Sequence, residues 1–196
     1  MILGAVLAGG LSSRMGADKA LVEVAGRPMV EWVSAALTDV VDRVVVAGRS
    51  ESILGLYPLP DPVEGPVGPL AGVAAALVEA TATGAGAVLA VAVDHPFVRR
   101  HTLARLVEAS GGEAVVPLAG GFRQVTCAVY PAAWHTEALA ELGVGGSIQS
   151  LLDRMSHRLV TAEEWAEWGE DGASWFSVDD ADGLAAGIDL FGSVLE

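Results

Sequence analysis

Residues 2–19 read ILGAVLAGGLSSRMGADK, a short apolar run followed by a loop rich in glycine. The apolar run, Ile2 to Leu7, predicts a buried strand because it is brief, continuous and followed by glycines. Glycines directly after a strand let the backbone turn sharply and bring its N–H groups close to the oxygens of a phosphate. Arg14 and Lys19 add positive charge to the same loop, and Lys19 is the only lysine in the chain. The opening of the chain therefore predicts a phosphate-binding turn after a first strand.

Further along the chain, apolar strand-like runs alternate with helix-like segments. Strands are predicted over residues 43–47, 87–93 and 114–117, and helices over residues 28–37, 70–81 and 101–109, with a loop rich in proline and glycine over residues 58–69. Strands that are apolar throughout, rather than at every second position, indicate a mainly parallel sheet covered by helices on both faces. The predicted fold class is therefore α/β.

The second half of the chain is less regular. Residues 122–130 are expected to form a strand, antiparallel after the Gly120-Gly121 turn, and residues 176–178 a short strand. Helices are expected over residues 132–142, 147–155 and 181–191, and a loop over residues 169–174. Because there is no internal repeat and no convincing linker, residues 1–196 are interpreted as a single domain.

Composition and charge exclude several classes of protein. The net charge is −14, and no lysine or arginine follows Arg158. Such a chain repels the nucleic-acid backbone and anionic membrane surfaces, so neither is an expected partner. The acidic C-terminal stretch is interpreted as a source of solubility. No apolar run is long enough to span a bilayer, and the apolar start lacks the basic segment of a signal peptide. Cys127 is the only cysteine, which predicts a core thiol in a reducing, cytoplasmic setting.

Asp94 follows the longest strand signal, so it is expected at the same sheet edge as the glycine loop. Mg²⁺ favours one or two protein carboxylates and completes its shell with water and phosphate oxygens. Asp94 is therefore a candidate Mg²⁺ ligand, with a turn-forming or helix-capping aspartate before Pro96 as the alternative. The histidines show no metal-ligand spacing.

Two familiar phosphate-binding motifs are absent from the sequence. The loop has neither the G-x-G-x-x-G spacing of dinucleotide-binding proteins nor the G-x-x-x-x-G-K-[ST] pattern of a P-loop. The second strand is also not followed by an acidic residue placed for a ribose, so a dinucleotide oxidoreductase is excluded.

The run LAGGLSSRMGADKALVEVAGRPMVEWV, residues 7–33, resembles the opening of the molybdenum cofactor guanylyltransferases, part of a wider nucleotidyltransferase family. Three later segments continue the resemblance in order: GPVGPLAG at residues 65–72, VDHP at residues 93–96 and FSVD at residues 176–179. The resemblance implies a Rossmann-like three-layer fold of the nucleotide-diphospho-sugar transferase type. It also implies transfer of GMP from MgGTP to the phosphate of molybdenum-bearing molybdopterin, with release of pyrophosphate.

The resemblance also implies roles for individual residues. Contact with the nucleotide through the backbone is implied for Leu7, Ala8, Gly9 and Gly10, and contact with its phosphates for Arg14 and Lys19. The remaining implied contacts are made by aspartates: Asp61 with the guanosine portion, Asp94 with Mg²⁺, and Asp179 near the metal and the acceptor phosphate. Arg14, Lys19 and Asp94 are the implied catalytic residues. Residues 1–100 would bind the nucleotide and residues 101–196 the acceptor.

Two positions depart from the family pattern. Ser177 stands where asparagine is frequent, and Ala47 stands where a polar residue often follows the second strand. Three alternatives therefore stay open: a cytidylyltransferase for the same cofactor, a guanylyltransferase for another small molecule such as phospholactate, and a nucleotide-binding subunit without turnover.

Other polar and aromatic residues receive narrower expectations. A phosphate-monoester acceptor is already deprotonated, so His95 is expected to pack or hydrogen-bond near the site rather than act as a base. Candidates to bind the acceptor are Arg123, Gln124 and Arg158. The tryptophans at positions 165, 168 and 175 are expected to pack the last helix against the body. Contact with proteins that deliver or accept the cofactor is a further expectation, and the oligomeric state is left open.

Overall fold

The computed structural model describes residues 1–9, 18–63 and 68–195. Its first half contains six strands and two helices: β1 (Ile2–Leu7), β2 (Glu23–Val24), β3 (Arg27–Pro28), α1 (Met29–Thr38), β4 (Arg43–Ala47), β5 (Tyr57–Leu59), α2 (Pro69–Thr83) and β6 (Ala87–Ala92). The remainder contains α3 (Arg100–Ser110), β7 (Ala114–Ala119), β8 (Phe122–Arg123), β9 (Cys127–Pro131), α4 (His135–Gly143), α5 (Ile148–Leu152), β10 (His157–Val160), α6 (Ala162–Glu167) and α7 (Ala181–Phe191). Short 3-10 turns cover Lys19–Leu21, Ala132–Trp134, Ala173–Trp175 and Gly192–Leu195.

The central sheet has the strand order β10-β7-β9-β6-β1-β4-β5, and β8 pairs with β7 beside this path. Neighbouring strands in β6-β1-β4-β5 are parallel, as are β7 and β10, whereas β9 runs antiparallel between β6 and β7. Leu7, the last residue of β1, lies opposite both Ala92 of β6 and Ala47 of β4. The carboxyl ends of these three strands therefore meet at one edge of the sheet.

Both faces of the sheet are covered, because alternate residues of each buried strand point to opposite sides. Leu3, Ala5 and Leu7 belong to a core with α2, α4 and α5. Val6 belongs to a second core, which includes residues of α1 and α3 on the other face. This arrangement confirms the predicted three-layer α/β fold with a mainly parallel, doubly covered sheet.

Helix α2 packs close to the sheet because small residues form most of its buried side. A Cβ atom added at Gly72 would stand 3.2 Å from Leu7 and 3.4 Å from the Cβ of Ala47. The helix begins with Pro69 in its first turn, where a missing N–H costs nothing, and ends at Gly84 in the left-handed conformation. The small side chain of Ala47, a departure from the family pattern, is thus in contact with this helix.

The second half differs from its prediction in three places. Residues 122–130 form two strands rather than one, since the N–H of Cys127 donates to the carbonyl of Gln124 at 3.1 Å and closes a turn between β8 and β9. Both strands run antiparallel to β7, as expected. The strand predicted at residues 176–178 is wrong: β6 already pairs with β1 and β9, and Val178 makes one backbone hydrogen bond to Asp94. The prediction also omitted β10 and α6 in this half, and β2, β3 and β5 in the first half, where β5 includes the start of the loop predicted over residues 58–69.

Aromatic side chains attach the C-terminal part of the chain to the sheet. Trp165 packs edge-on against Trp175, and its indole N–H donates to the carbonyl of Leu118 in β7. Helix α7 is held by a different group, the phenylalanines at positions 97, 176 and 191, whose ring centroids are 5.5 to 6.1 Å apart. The tryptophans therefore pack on the body, but phenylalanines rather than tryptophans hold the last helix. No helix among residues 1–9, 18–63 and 68–195 combines the length and hydrophobicity needed to cross a bilayer.

Cys127 lies in β9 with no exposed surface, and burial raises the pKa of its thiol. Because a thiolate, not a thiol, attacks disulfide reagents, we expect no reaction of the native protein with dithionitrobenzoate. In guanidinium chloride the single cysteine should release one equivalent of thionitrobenzoate, which serves as the control. Rapid release from the native protein would contradict the placement of Cys127 in the core.

Candidate active site

A cavity of about 340 Å³ lies at the edge where β1, β4 and β6 end. Its walls come from segments far apart in the sequence, and its principal lining residues are Leu7, Ala8, Gly9, Asp18, Lys19, Ala47, Asp61, Gly72, Asp94 and Thr126. Thr126 precedes β9, and because β9 is antiparallel, the beginning of this strand lies at the same edge. The structure thus brings together five of the residues that the resemblance implied for the first strand end and the metal: Leu7, Ala8, Gly9, Lys19 and Asp94.

The turn after β1 is held by a close contact between two glycine backbones. The N–H of Ala8 donates to the carbonyl of Ala47, and the N–H of Gly48 donates to the carbonyl of Leu59, each at 2.9 Å. A Cβ added at Gly48 would stand 2.3 Å from the Cα of Gly9, and Gly48 has a φ of +86°. Only glycine satisfies both conditions, so Gly48 fixes where the start of the loop lies.

Lys19 is presented by a 3-10 turn that a second ion pair stabilises. Asp18 caps this turn by accepting the N–H of Ala20 at 3.1 Å. The guanidinium of Arg49 binds both oxygens of Asp18, at 3.1 and 2.5 Å, and this hydrogen bonding lowers the pKa of Asp18. Because Arg49 follows β4, the turn that carries Lys19 is tied to the same strand ends as the cavity.

The ammonium group of Lys19 joins two carboxylates. Its Nζ lies 3.1 Å from Oδ2 of Asp94 and 2.9 Å from Oδ1 of Asp179. Burial would lower the pKa of Lys19, but hydrogen bonds and charge from Asp179 and Asp94 outweigh it and raise the pKa. Lys19 is therefore a permanent cation near neutral pH, as a phosphate-binding lysine must be.

Asp94 has the features expected of a metal ligand. Its Oδ1 atom is buried and has no hydrogen-bond partner among the described residues, although Oδ2 binds Lys19. Burial would raise the pKa of Asp94, but His95 (when its ring is protonated) and Lys19 (through its charge and a hydrogen bond) lower it, with a further contribution from Ser177. An ionised carboxylate with a free oxygen suits a hard divalent cation.

The carboxylates around Lys19 fit the coordination preferences of Mg²⁺. Two carboxylates, from Asp94 and Asp179, approach the same lysine. In the part of the chain that the structure describes, no three His, Cys, Asp or Glu side chains cluster as metal ligands. Mg²⁺ rarely occupies a cage made wholly of protein groups and usually takes one or two carboxylates plus phosphate oxygens. The residues present fit an ion that arrives with a phosphorylated ligand.

His95 is buried near the carboxylates of Asp94 and Asp179, and its ring is shielded from solvent. Its Nε2 lies 3.2 Å from the hydroxyl of Thr126 and 3.6 Å from Oδ1 of Asp94. Burial lowers the pKa of His95, so the ring is neutral near pH 7 and Lys19 supplies the positive charge next to Asp94. This placement agrees with the expectation that His95 packs and hydrogen-bonds near the site.

Asp61 faces the cavity next to Gly9. A Cβ added at Gly9 would stand 3.4 Å from Oδ2 of Asp61, which places this carboxylate against the turn. The other oxygen, Oδ1, is buried and lacks a hydrogen-bond donor among the described residues, and burial raises the pKa of Asp61. A buried carboxylate oxygen without a donor is costly, so it is suited to accept hydrogen bonds from a ligand.

Several residues proposed from the sequence lie elsewhere. Gly10, Arg14 and residues 65–67 of the second motif fall outside the described residues. The three acceptor candidates do not line the cavity: Arg123 pairs with Asp153, Arg158 pairs with Glu164, and the amide of Gln124 donates to the carbonyls of Ala119 and Phe122.

A second, larger cavity of about 580 Å³ lies away from the strand ends. Its arginines are engaged in ion pairs, Arg27 with Glu31, Arg99 with Asp171 and Arg100 with Asp39. It contains neither Lys19 nor Asp94, so we place the chemistry in the smaller cavity.

Sequence reasoning missed four residues of this site: Asp18, Gly48, Arg49 and Thr126. Gly48 carried a signal, because it follows the buried parallel strand β4 directly, and Gly9 likewise follows β1 after one residue. The contribution of Thr126 depends on the antiparallel insertion of β9 into the sheet, which no local pattern predicts.

A family model for the MobA-like NTP transferase domain matches residues 4–159. The chain belongs to this family. A molybdenum cofactor guanylyltransferase of Cereibacter sphaeroides is 38% identical over 149 residues, which cover 74% of this chain and 76% of that relative.

Two solved structures share the fold of this MobA-like chain. Molybdopterin-guanine dinucleotide biosynthesis protein A from Archaeoglobus fulgidus superposes with a TM-score of 0.82 at 24% identity, covering 98% of this chain and all (100%) of that one. A Mycobacterium tuberculosis protein solved in complex with manganese superposes with a TM-score of 0.66 at 19% identity, covering 96% of this chain and 98% of that one. At these identities the likeness concerns the fold.

Replacing Gly48 with alanine tests the glycine contact. We expect Gly48→Ala to weaken nucleoside triphosphate binding at least tenfold, because the new methyl group must push Gly9 out of the turn. Gly84→Ala is the matched control: its φ is also positive, +75°, but open space surrounds it at the far end of α2. The control should lose about 1 kcal/mol of unfolding free energy in a urea titration and keep its nucleotide affinity. Equal affinity in both variants would show that the contact does not shape the site.

Proposed function

We propose that this chain is a molybdenum cofactor guanylyltransferase, which transfers GMP from MgGTP to the phosphate of molybdenum-bearing molybdopterin and releases pyrophosphate. The observation that carries the proposal is the position of Lys19 between Asp94 and Asp179, next to the glycine turn that follows β1. The relative from Cereibacter sphaeroides that bears this enzyme name supports the choice of substrates.

The nucleotide occupies the cavity at the ends of β1 and β4. The backbone of residues 7–10 contacts the nucleotide. Because the N–H of Ala8 already donates to Ala47, the phosphates are bound by N–H groups later in the loop, as in other glycine turns after buried strands. Asp61 holds the guanosine portion, since the N–H groups of guanine and the hydroxyls of ribose are the donors that its free buried oxygen lacks. This assignment also explains why a carboxylate is retained there despite the cost of burial.

Asp94 and Asp179 would hold Mg²⁺, which would neutralise charge on the triphosphate and on the leaving pyrophosphate. The free oxygen of Asp94 and the convergence of both carboxylates on Lys19 support this role. Among the described residues that line the cavity, Lys19 is accompanied by the acids Asp18, Asp61 and Asp94. The triphosphate therefore has to enter as its magnesium complex, because the acids would repel it otherwise.

Transfer proceeds by in-line displacement at the α-phosphorus. An oxygen of the acceptor phosphate forms the new bond to this phosphorus while the bond to the bridging oxygen of the β-phosphate breaks, and pyrophosphate carries away that electron pair. Lys19 and Arg14 stabilise the charge that develops on the triphosphate. A phosphate monoester has its second pKa near 6, so its oxygen attacks at neutral pH without a protein base. The neutral, buried ring of His95 is consistent with this mechanism.

Residues 1–100 form the nucleotide-binding half in this proposal, and residues 101–196 form the acceptor-binding half within one domain. Asp179 then belongs to the acceptor side and meets the nucleotide side at Lys19. We place the enzyme in the cytoplasm, which the single buried thiol of Cys127 supports. Proteins that deliver or accept the cofactor are expected partners of the acceptor side.

Nucleotide selectivity separates the proposal from its alternatives. With Mg²⁺ and molybdopterin cofactor as acceptor, we expect pyrophosphate release with GTP and none with CTP, ATP or UTP, measured by a coupled phosphate assay. Release with CTP alone would identify a cytidylyltransferase and keep the metal site. Binding of GTP without release of pyrophosphate, whichever acceptor is present and with phospholactate included, would identify a subunit without turnover.

Removal of the lysine charge tests the mechanism. We expect Lys19→Met to lower kcat about 100- to 1,000-fold, because the triphosphate loses its fixed cation. Arg105→Met is the control, since Arg105 is an exposed cation paired with Glu108 on α3, outside the cavity. The control should match the wild-type rate. Near-normal turnover of Lys19→Met would refute the assignment of Lys19.

A further inference from the structure

Glu170 is a buried carboxylate in the acidic C-terminal stretch. Only 3% of its surface is exposed, whereas the neighbouring acids Glu167 and Asp171 are exposed. The sequence interpretation of this stretch as a source of solubility therefore does not apply to Glu170. A buried charge of this kind requires full hydrogen bonding, and the structure supplies it.

Both oxygens of Glu170 accept hydrogen bonds within the loop that precedes Asp179. Oε1 accepts backbone N–H groups from Asp171, Gly172 and Ser174 at 3.1, 2.8 and 3.2 Å. Oε2 accepts the hydroxyls of Thr102 and Ser174 at 2.6 and 2.5 Å. Five donors converge on one side chain, so the position requires a group that only accepts. A carboxylate meets this requirement, and the amide of glutamine does not.

These hydrogen bonds tie the loop to the beginning of α3. Thr102 lies in the first turn of that helix. The hydroxyl of Ser174, which donates to Glu170, also accepts the N–H of Arg99 at 2.9 Å. The guanidinium of Arg99 in turn binds Asp171 at 2.6 Å. Glu170, Thr102, Ser174 and the backbone of Arg99 form one connected group, here called the Glu170 cluster.

The Glu170 cluster connects the two chain segments that carry Asp94 and Asp179. Arg99 stands five residues after Asp94, and Ser174 stands five residues before Asp179. At the other end of these segments, the N–H of Val178 donates to the carbonyl of Asp94 at 2.8 Å. The two segments are therefore joined at both ends, which restrains the distance between the two carboxylates.

We infer that Glu170 is a positioning residue for guanylyl transfer: it holds Asp179 at the separation from Asp94 that a divalent cation requires. The inference rests on the proposed function, since it takes both aspartates as ligands of Mg²⁺. Glu170 itself lines neither cavity and acts only through the segment from residue 174 to residue 179. Groups that orient metal ligands in this way commonly change metal affinity about 10- to 100-fold when replaced.

The test is the Mn²⁺ affinity of the full-length chain, measured by electron paramagnetic resonance with and without α,β-methylene-GTP. We expect Glu170→Gln to weaken Mn²⁺ binding about 10- to 100-fold, because its amide N–H₂ meets donors where an acceptor is needed. The apparent KM for Mg²⁺ should rise in parallel, while affinity for the nucleotide without metal stays at the wild-type value.

Glu141→Gln provides a matched control. Glu141 is 4% exposed and binds Ser150 and Arg154, and it lies in α4 outside the cavity. This variant loses a buried carboxylate of the same kind, so a general loss of stability would affect it as well. Wild-type Mn²⁺ affinity in Glu141→Gln with weakened affinity in Glu170→Gln would support the positioning role. Equal affinity in the wild type and Glu170→Gln would overturn it.

Asp94→Asn separates this inference from the proposed function. If Asp94→Asn binds Mn²⁺ as the wild type does, the metal site itself is misassigned and the proposed function fails. If Asp94→Asn abolishes binding and Glu170→Gln leaves it unchanged, the proposed function stands and the role of Glu170 is refuted. Should Glu170→Gln not fold, Thr102→Val removes one of the five donors. We expect an intermediate loss of Mn²⁺ affinity from this variant, and unchanged affinity would count against the inference.

Discussion

The parallel register of β4, β1 and β6 is the constraint on which the site depends. With Leu7 opposite both Ala47 and Ala92, three chain segments leave the sheet at the same level, and their following residues have to share the space beyond it. Gly9 and Gly48 can approach to backbone contact because neither has a side chain. Asp94 arrives from β6 in the same layer. A shift of one strand by one residue would separate these groups and turn the buried side chains to the wrong face.

Ion pairs between distant segments hold together the groups that the strand register brings to one edge of the sheet. Lys19 joins Asp94 and Asp179, which stand 75 and 160 residues away in sequence. Arg49, which follows β4, binds Asp18 and so joins the turn that carries Lys19 to the strand ends. In a chain with a net charge of −14, each buried or half-buried carboxylate of the site thus needs a specific cation or a set of donors. An acidic protein can bind an anionic substrate here only because cations and hydrogen-bond donors offset the carboxylate charges within the site itself.

Much of the fold followed from local patterns, and the exceptions have physical causes. The predicted bounds of β1, β4 and α7 agree with the structure residue for residue, because continuous apolar runs or clear helical periodicity end at turn residues. Strand β10 was missed because His157 and Arg158 interrupt its apolar character at the sheet edge. Residues 176–178 look like a strand because Phe176 and Val178 are apolar, but Phe176 is half-buried and packs against Phe97 and Phe191 rather than within a ladder.

The candidate site, like the fold, was predicted from local patterns only in part. Lys19 and Asp94 could be placed together, since each follows a strand of the parallel sheet. The pairing of Asp179 with Lys19, the binding of Asp18 by Arg49 and the burial of Glu170 arise from contacts between distant segments. Nothing in the local sequence distinguishes Glu170 from the exposed acids around it.

The reversed direction of β9 has a consequence for how proteins of this architecture diversify. On one side the cavity is bounded by the ends of parallel strands, and after β1 and β6 the chain returns to the sheet through the helices α1 and α3. On the other side it is bounded by Thr126, which follows a short hairpin and precedes a strand that runs the opposite way. Insertions or deletions between β8 and β9 leave the register of β1, β4 and β6 untouched. The wall that Thr126 contributes can therefore change in length and chemistry without moving the ends of the parallel strands on the other side.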